Sequence, residues 1–391
     1  MINLDLPEKL QNVQSTMRQV SEALFRPISR KYDRAEHEYP KELDMMRDAA
    51  GDSGVMGGGS SNPSEGVRNG SNMSSVVAMT ELCWGDTGLT LTIPGRGLGN
   101  AAIAAVATPE QKQRFGDKWA AMAITEPGAG SDSAAIQTTA KLDGDEWVLN
   151  GEKIFVTAGD RCEAVVVWAT VDRSAGKAGI KSFVVEKGTP GMEMVRLEKK
   201  LGIRASDTAA ISFTDCRIPK DNILGSSEVS KSGFGGVMQT FDNTRPVVAA
   251  MAVGVARAAL ERTRELLRDE GVSADYSRAP NASSALEAEL YRMEADWEAA
   301  RLLTLQAAWM ADNGKANSLQ ASISKAKAGR MGNAIALRCV ELCAGVGYGE
   351  QELLEKWARD SKILDIFEGT QQIQQLIVAR QVLGKSSREL R

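Results

Sequence analysis

The apolar residues of this 391-residue chain change period twice, and this pattern limits the possible folds more than any other feature of the sequence. Over residues 1–118 and 228–391 they recur at three- and four-residue steps, which is typical of helices with one buried face. Over residues 119–227, short β-rich runs alternate with turn residues, which is typical of a compact antiparallel barrel or sandwich. The pattern predicts an α+β protein of three domains: an N-terminal helical domain, a middle β-barrel or sandwich, and a C-terminal four-helix bundle.

Local signals predict where some elements begin and end. Thr108 followed by Pro109 suits an N-cap and first helical position. Ser284 to Glu287 forms a capping box before a long apolar stripe, and Gly314 is placed to end that helix. The pair Asn150-Gly151 suits a type I′ turn, so residues 146–157 are predicted to form a hairpin.

Two further stretches of the N-terminal region carry local signals. A helix is expected to begin after Pro40 and to cover Lys41–Ala50. Gly57–Gly70 is rich in Gly, Ser and Asn and is expected to be a break between elements.

Charge and cysteine content exclude several classes of function. The chain has 47 basic and 51 acidic residues, so it presents no basic field for a nucleic acid. Its longest nearly apolar stretch, Ala101–Ala107, is too short for a membrane span, and Met1–Leu10 does not resemble a signal peptide. Five cysteines, an odd number, indicate reduced thiols and a cytoplasmic location.

The chain has one histidine, His37, in a polar stretch, and it is predicted to be a solvated surface residue. A Ser-His-Asp triad, a multi-histidine zinc site or a histidine proton shuttle would all depend on it. Cys339 and Cys343 lack further ligands and are expected to be packing residues, so no metal is assigned. Acid–base chemistry is therefore left to carboxylates, Lys, Tyr or a cofactor.

The first candidate segment is Ala123–Asp132, which contains Thr125, Gly130 and Ser131 at the passage from helical to β domain. Glycines at 128 and 130 allow close backbone approach, so the loop could present N–H groups to a diphosphate. A plain Pro-Gly turn explains the same residues.

The second candidate is Glu368, which lies between the apolar pair Ile366-Phe367 and Gly369, just before a new helix. A carboxylate there would be partly desolvated, which raises its pKa and strengthens it as a base. An acid that complements the dipole of the next helix is the alternative.

The third candidate is Phe241–Pro246, interpreted as a charged loop that leads into the first bundle helix. Arg245 could bind a phosphate or a carboxylate. A surface pair of Asp242 and Arg245 is an equally good explanation.

Together, and in this order, these segments resemble the acyl-CoA dehydrogenase family over essentially the whole chain. The resemblance rests on Thr125–Asp132 and on the long C-terminal stretch from Ala344 through Arg359-Asp360 to Ile373. It implies FAD-dependent α,β-dehydrogenation of an acyl-CoA thioester to the trans-2-enoyl-CoA, a step of fatty-acid or related β-oxidation. It also implies that Glu368 removes the α-proton while hydride leaves the β-carbon for flavin N5, and that an electron-transfer flavoprotein accepts the electrons.

The resemblance also assigns binding roles. Thr125, Gly130 and Ser131 match contacts to the flavin ring and diphosphate, Thr157 matches the hydroxyl beside flavin N5, and Phe155 stands where many relatives carry tryptophan. The remaining matches are Thr370 and Gln372 for the adenosine side of FAD, and Asp242, Arg245 and Gly369 for acyl-CoA.

Two segments depart from the family pattern. Family tetramers complete each FAD site with an Arg-x-x-Phe-Gly segment from a neighbouring subunit, whereas Arg268–Pro280 contains no Phe-Gly. A second contact, normally Gln-x-x-Gly-Gly, here begins with Glu341, whose charge is unfavourable near a diphosphate. These departures lead to the hypothesis of a tetramer with a related but different subunit. A homotetramer that reaches FAD with Arg278 or another nearby residue is the alternative.

Two other functions remain open at this point. An acyl-CoA oxidase shares the first half-reaction, although the chain lacks the additional C-terminal domain typical of many oxidases. A flavin-poor structural subunit of a mixed complex would fit the altered cross-subunit segments.

Overall fold

The computed structural model describes residues 5–44, 70–95, 97–226, 235–278, 280–386 and 389. Helices at both ends flank a middle β-sheet domain, which confirms the predicted fold class. The domain boundaries at 118/119 and 227/228 stay predictions. No described helix combines the length and hydropathy needed to cross a membrane.

The N-terminal region is helical where it is described. Its helices are α1 Glu8–Val20, α2 Arg26–Ala35, α3 Ser71–Gly85, α4 Thr87–Thr90, α5 Leu98–Val106 and α6 Pro109–Phe115. Thr108 caps α6 and Pro109 is its first residue, as predicted. The helix expected over Lys41–Ala50 is present only as a 3-10 turn over Lys41–Leu43, and its continuation beyond residue 44 lies outside the described residues. The break expected over Gly57–Gly70 also lies outside them, apart from Gly70.

The middle domain is a seven-stranded sheet that is mostly antiparallel, with strand order β1-β4-β2-β3-β7-β6 and β5 paired with β4. Strand β1 lies parallel to β4, and one parallel pair joins β2 to β4. The strands are β1 Ala120–Ala123, β2 Thr139–Asp143, β3 Glu146–Thr157, β4 Ala164–Thr170, β5 Ile180–Glu186, β6 Met192–Leu197 and β7 Thr208–Pro219.

The predicted hairpin turn at Asn150-Gly151 is wrong, because both residues lie inside the single strand β3. The register of β3 against β7 shifts between Leu149 and Gly151, as at a β-bulge. Gly151 has φ 149°, and a Cβ there would lie 2.5 Å from Thr138 Oγ1, so the glycine serves close packing. The hairpin turn instead follows β2 at Gly144, whose φ of 63° suits the first position of a two-residue turn.

The C-terminal domain is a helical bundle, as predicted. Its helices are α7 Gly235–Asp269, α8 Ala285–Asp312, α9 Ser318–Leu342, α10 Ala344–Tyr348, α11 Leu354–Ser361 and α12 Gln371–Leu383. Helix α9 contacts α7, α8, α11 and α12. The capping box of Ser284 and Glu287 opens α8, and Gly314 follows its end with φ 63°. Small and aliphatic side chains from α7, α8 and α9 fill one core together with Trp357 of α11.

A buried group of charges, the junction cluster, joins the three domains. The Lys356 ammonium lies 2.7 Å from Asp86 Oδ2 in the N-terminal domain and 2.5 Å from Asp360 Oδ2 on its own helix. Asp360 Oδ1 also accepts a hydrogen bond of 2.5 Å from the N–H of Ile203, which follows β6. Beside it, the Arg359 guanidinium donates to both carboxylate oxygens of Asp33 on α2. The junction cluster therefore fixes α11 against both other domains.

His37 is not the solvated surface residue that its polar neighbours predicted. It is half-buried where the loop after α2 meets the β domain, and its N–H donates to the Arg204 carbonyl at 3.2 Å. Neither ring nitrogen has a hydrogen-bond partner among the described residues. Burial, with Lys200 next in effect, lowers the pKa of the imidazole. The local composition gave no sign of this contact because the partner loop is distant in sequence.

Candidate active site

Glu368 lies in the turn between a 3-10 turn, Lys362–Asp365, and helix α12. Its side chain points to α7, where the Thr244 hydroxyl donates a hydrogen bond of 2.9 Å to Oε2. Helix α12 is capped by Thr370, whose hydroxyl accepts from the Ile373 N–H at 3.4 Å. The Glu368 side chain thus points to α7, and Thr370 caps α12. Both observations argue against Glu368 as an acid that complements the dipole of α12.

The surroundings of Glu368 suit a carboxylate that takes up a proton. Burial raises its pKa, while the Thr244 hydroxyl, Arg245 and Lys325 oppose that shift by favouring the ionised form. The net direction is upward, so the carboxylate is a stronger base than an exposed glutamate.

The backbone of this turn is held by two buried side chains that the sequence analysis missed. The Gly369 carbonyl accepts a hydrogen bond of 2.7 Å from Lys325 Nζ on α9. Gln374 Nε2 donates to the carbonyls of Glu368 and Gly369 at 3.0 and 3.3 Å. No local sequence feature singles out Lys325, because its partner carbonyl lies 44 residues away.

The segment Phe241–Pro246 is part of helix α7 and not the charged loop that was predicted, because α7 begins at Gly235 and continues through Pro246. Arg245 is only 4% exposed, which contradicts a surface Asp–Arg pair, and its Nη1 lies 3.5 Å from Ser322 Oγ on α9. The side chain of Asp242 lies outside the described residues. Arg245 and Glu368 are thus brought together at one side of the bundle.

A second group of candidates lies on the β domain. Thr125 follows β1, and its carbonyl accepts from the Ile154 N–H of β3 at 2.9 Å. Gly130 and Ser131 are exposed at the tip of the same loop. A Cβ at Gly128 or Gly130 would meet nothing within 4 Å, so open space lies above the loop.

A buried ion pair supports this loop from below. Lys153 Nζ donates to Glu126 Oε1 at 2.8 Å and to the Ile124 carbonyl at 2.9 Å. The Glu126 carboxylate also accepts from the N–H and hydroxyl of Thr138. Burial lowers the pKa of Lys153 to about 8, although Glu126 opposes that shift. The signal for Lys153 was a charged residue on the buried side of β3, in step with Trp147 and Leu149.

Phe155 and Thr157 lie at the end of β3, next to the loop. Phe155 is 59% exposed and has φ 57°, which is unusual for a bulky residue. Thr157 is half-buried and pairs with Thr208 of β7. This irregular strand end presents an aromatic ring and a hydroxyl beside the open loop.

The residues present fit a bound FAD. The loop of Thr125 is open above its glycines, and the ring of Phe155 is exposed beside it. Near the start of α12, the buried Gln371 has an Oε1 without a hydrogen-bond partner among the described residues. It lies between Thr370, which is half-buried, and Gln372, which is exposed. The open loop and the unsatisfied acceptor are both features that a dinucleotide could complete.

The candidate residues around Glu368 and those around Thr125 form two separate groups among the described residues. No hydrogen bond or ion pair described there joins the loop of Thr125 to the turn of Glu368. The structure thus brings Glu368, Gly369 and Arg245 together at one place, and Thr125, Phe155 and Thr157 at another.

The two segments that depart from the family pattern are internally paired. Glu341 is exposed and forms an ion pair of 2.5 Å with Arg338, which offsets its charge. Arg278 donates to Glu287 at 3.1 Å and to the Ala282 carbonyl at 3.0 Å. Arg278 is therefore engaged at the start of α8.

Comparison with known proteins gives a consistent result. Sequence models of the acyl-CoA dehydrogenase N-terminal, middle and C-terminal domains match residues 7–123, 121–216 and 231–383. The mitochondrial short-chain specific acyl-CoA dehydrogenase of Bos taurus is 37% identical over 391 residues, which cover 97% of this chain and 92% of the relative.

Solved structures agree with this result. Butyryl-CoA dehydrogenase from Megasphaera elsdenii superposes with a TM-score of 0.86 at 29% identity, covering 98% of this chain and 100% of that one. Glutaryl-CoA dehydrogenase from Mycobacterium smegmatis in complex with FADH2 gives 0.83 at 25% identity, with coverages of 98% and 96%. The chain therefore belongs to the acyl-CoA dehydrogenase family of FAD-dependent oxidoreductases.

Proposed function

We propose that this acyl-CoA dehydrogenase uses Glu368 to remove the α-proton of an acyl-CoA thioester, in a reaction that also takes a hydride from the β-carbon and gives the trans-2-enoyl-CoA. The observation that carries the proposal is the position of the Glu368 carboxylate, partly buried and hydrogen-bonded to Thr244 beside the buried Arg245. An α-C–H of a thioester becomes acidic only when its carbonyl oxygen is stabilised and the base is held in place. Glu368 and Gly369 both have positive φ, and this left-handed turn offers such a fixed base.

Residues of both groups would hold FAD. Thr125, Gly130 and Ser131 would contact the flavin ring and diphosphate, and Phe155 and Thr157 would lie beside the ring. Thr370 and Gln372 would contact the adenosine side, while Asp242, Arg245 and Gly369 would contact acyl-CoA. When bound, FAD supplies a two-electron acceptor for hydride at N5, which no side chain can provide.

The first test is reduction of the bound flavin by CoA thioesters. Butyryl-CoA is the first probe, because the relatives are named short-chain specific and butyryl-CoA dehydrogenases. We expect the purified FAD-loaded protein to lose its oxidised-flavin absorbance without oxygen when butyryl-CoA or another thioester of a chain-length and branching series is added. A series in which no thioester reduces the flavin would contradict the proposal and favour a structural subunit.

Partners and location follow from the same proposal. The electron acceptor would be an electron-transfer flavoprotein and the location cytoplasmic. An acyl-CoA oxidase would share the reductive step, but its reduced flavin would be reoxidised rapidly by oxygen. Comparing the reoxidation rates in air and with an electron-transfer flavoprotein separates these two functions.

We further propose a tetramer in which a related but different subunit completes the FAD site. The proposal is supported by the absence of Phe-Gly in Arg268–Pro280 and by the engagement of Arg278 with Glu287. The chain purified alone is expected to hold clearly less than one FAD per subunit, measured from flavin and protein absorbance after gel filtration. Full occupancy in a homotetramer would contradict the mixed assembly and favour the homotetramer.

A further inference from the structure

The turn that carries Glu368 has a costly backbone conformation. Glu368 has φ 54° and Gly369 has φ 89°, so two consecutive residues lie in the left-handed region. A non-glycine residue persists there only when its surroundings hold it in place. Something in the structure must therefore stabilise this turn.

Lys325 provides the strongest of the contacts that do so. Its side chain is fully buried, and Nζ lies 2.7 Å from the Gly369 carbonyl oxygen. A hydrogen bond from a charged donor is about twice as strong as a neutral one. The contact from Gln374 to the same oxygen is longer, at 3.3 Å. The ammonium therefore holds the second peptide of the turn.

Helix α9 is packed closely on either side of Lys325, against α7 before it and against the segment that leads to the turn after it. One turn earlier, Ser322 lies 3.5 Å from Arg245 Nη1. One turn later, Gly329 approaches the segment so closely that a Cβ there would lie 2.7 Å from the Leu364 carbonyl. The helix cannot shift without moving the turn, so the position of Lys325 is fixed relative to Glu368.

The charges around Lys325 come from the segment before α12 and from α7. Asp365 and Glu368 precede α12 and favour its charged form, and Arg245 on α7 disfavours it. Burial is the largest effect and lowers the pKa of Lys325 to about 8, so the group is mainly protonated at neutral pH. Around Glu368 itself, the charged neighbours among the residues whose side chains are described are Arg245 and Lys325.

We propose that Lys325 is a positioning residue for the base: its ammonium holds the Gly369 carbonyl, stabilises the left-handed turn, and so aims the Glu368 carboxylate while contributing a nearby positive charge. The inference rests on the proposed function only in taking Glu368 as the base.

The test uses infrared difference spectra of the FAD-loaded protein as a function of pH. The C=O stretch of the protonated Glu368 carboxyl group is identified by its absence in Glu368→Gln. In Lys325→Met we expect the midpoint of this band to move up by about one pH unit, because a cation beside the carboxylate is lost. Flavin reduction by butyryl-CoA should slow by roughly ten- to a hundredfold, because the base is misplaced.

Two further variants and a control complete the design. Lys325→Arg keeps the charge and should restore the midpoint. Lys325→Gln keeps a donor without the charge, so the midpoint should again rise; this variant decides the question if Lys325→Met does not fold. Lys327→Met changes a lysine of the same helix that pairs with Asp296 at the surface, and it should change neither quantity.

An unchanged midpoint in the neutral variants would overturn the proposal, even if the rate fell, since a merely structural lysine would slow the reaction without altering the titration of Glu368. The infrared titration needs no substrate. A wild-type protein that butyryl-CoA fails to reduce would therefore count against that substrate and leave the result for Lys325 interpretable.

Discussion

Replacing Glu368 with glutamine is expected to slow flavin reduction by an acyl-CoA substrate by roughly a hundred- to ten-thousandfold, the usual contribution of a positioned general base. Glutamine has nearly the same shape, and its amide oxygen can still accept the hydrogen bond from Thr244, but it cannot take a proton. Bound FAD should stay at the wild-type level. Stopped-flow measurement of flavin absorbance, with the flavin content of each preparation, gives both quantities.

A carboxylate away from the turn offers the control for this experiment. Glu298→Gln changes an acid on α8 that is paired with Arg301, and it should leave the rate intact. The pH profile adds a second check. Because burial raises the pKa of Glu368, the wild-type rate should rise with pH along a limb above the ordinary glutamate value of about 4.3. A Glu368→Gln enzyme with near wild-type turnover would remove Glu368 from the role of base.

Replacing Lys356 with methionine is expected to lower the melting temperature of the FAD-loaded protein by roughly 5–15 °C. Burial opposes the charge on this lysine, but Asp360 and Asp86 outweigh it and raise its pKa, so it is an ammonium in the folded protein. Methionine would leave two buried carboxylates without their cation, and breaking a buried ion pair in this way costs about 3–5 kcal/mol. Differential scanning calorimetry measures the shift.

Two companion variants make this result specific. Lys362→Met breaks a half-exposed pair with Asp365 on the same segment and should lower the melting temperature only slightly, since exposed pairs contribute about 0–1 kcal/mol. Adding Asp360→Asn to Lys356→Met should recover part of the loss, because asparagine removes one uncompensated charge and still accepts from Ile203. Equal shifts for Lys356→Met and Lys362→Met would contradict a stabilising role for the junction cluster.

The elements that could be predicted from the sequence are those specified by nearby residues. The caps at Thr108 and Ser284 and the periodic faces of the bundle helices depend on neighbours within a few positions, and these predictions are confirmed. The prediction of a turn at Asn150-Gly151 is wrong because an Asn-Gly pair suits a β-bulge as well as a turn. The pairing of β3 with β7, which is distant in sequence, decided between them.

In the candidate active site, too, features specified by adjacent residues could be predicted and contacts between distant residues could not. Glu368 could be singled out because its apolar neighbours and the following glycine are adjacent to it. Lys325 could not, because its partner carbonyl is 44 residues away and a lysine in a helix usually reaches solvent. The burial of His37 and of Arg245 was missed for the same reason, since both lie at contacts between distant segments.

Three members of the junction cluster, Lys356, Arg359 and Asp360, lie on the same short stretch of polypeptide as Glu368, which runs to the turn before α12. Substitutions in this stretch that weaken the contacts between domains are therefore expected to displace the Glu368 carboxylate directly. Substitutions elsewhere in the bundle can displace it only through helix packing. Directed-evolution libraries that aim to widen the acyl specificity of this enzyme should spare this stretch. A substitution in this stretch would otherwise lower both the thermal stability and the turnover of the enzyme.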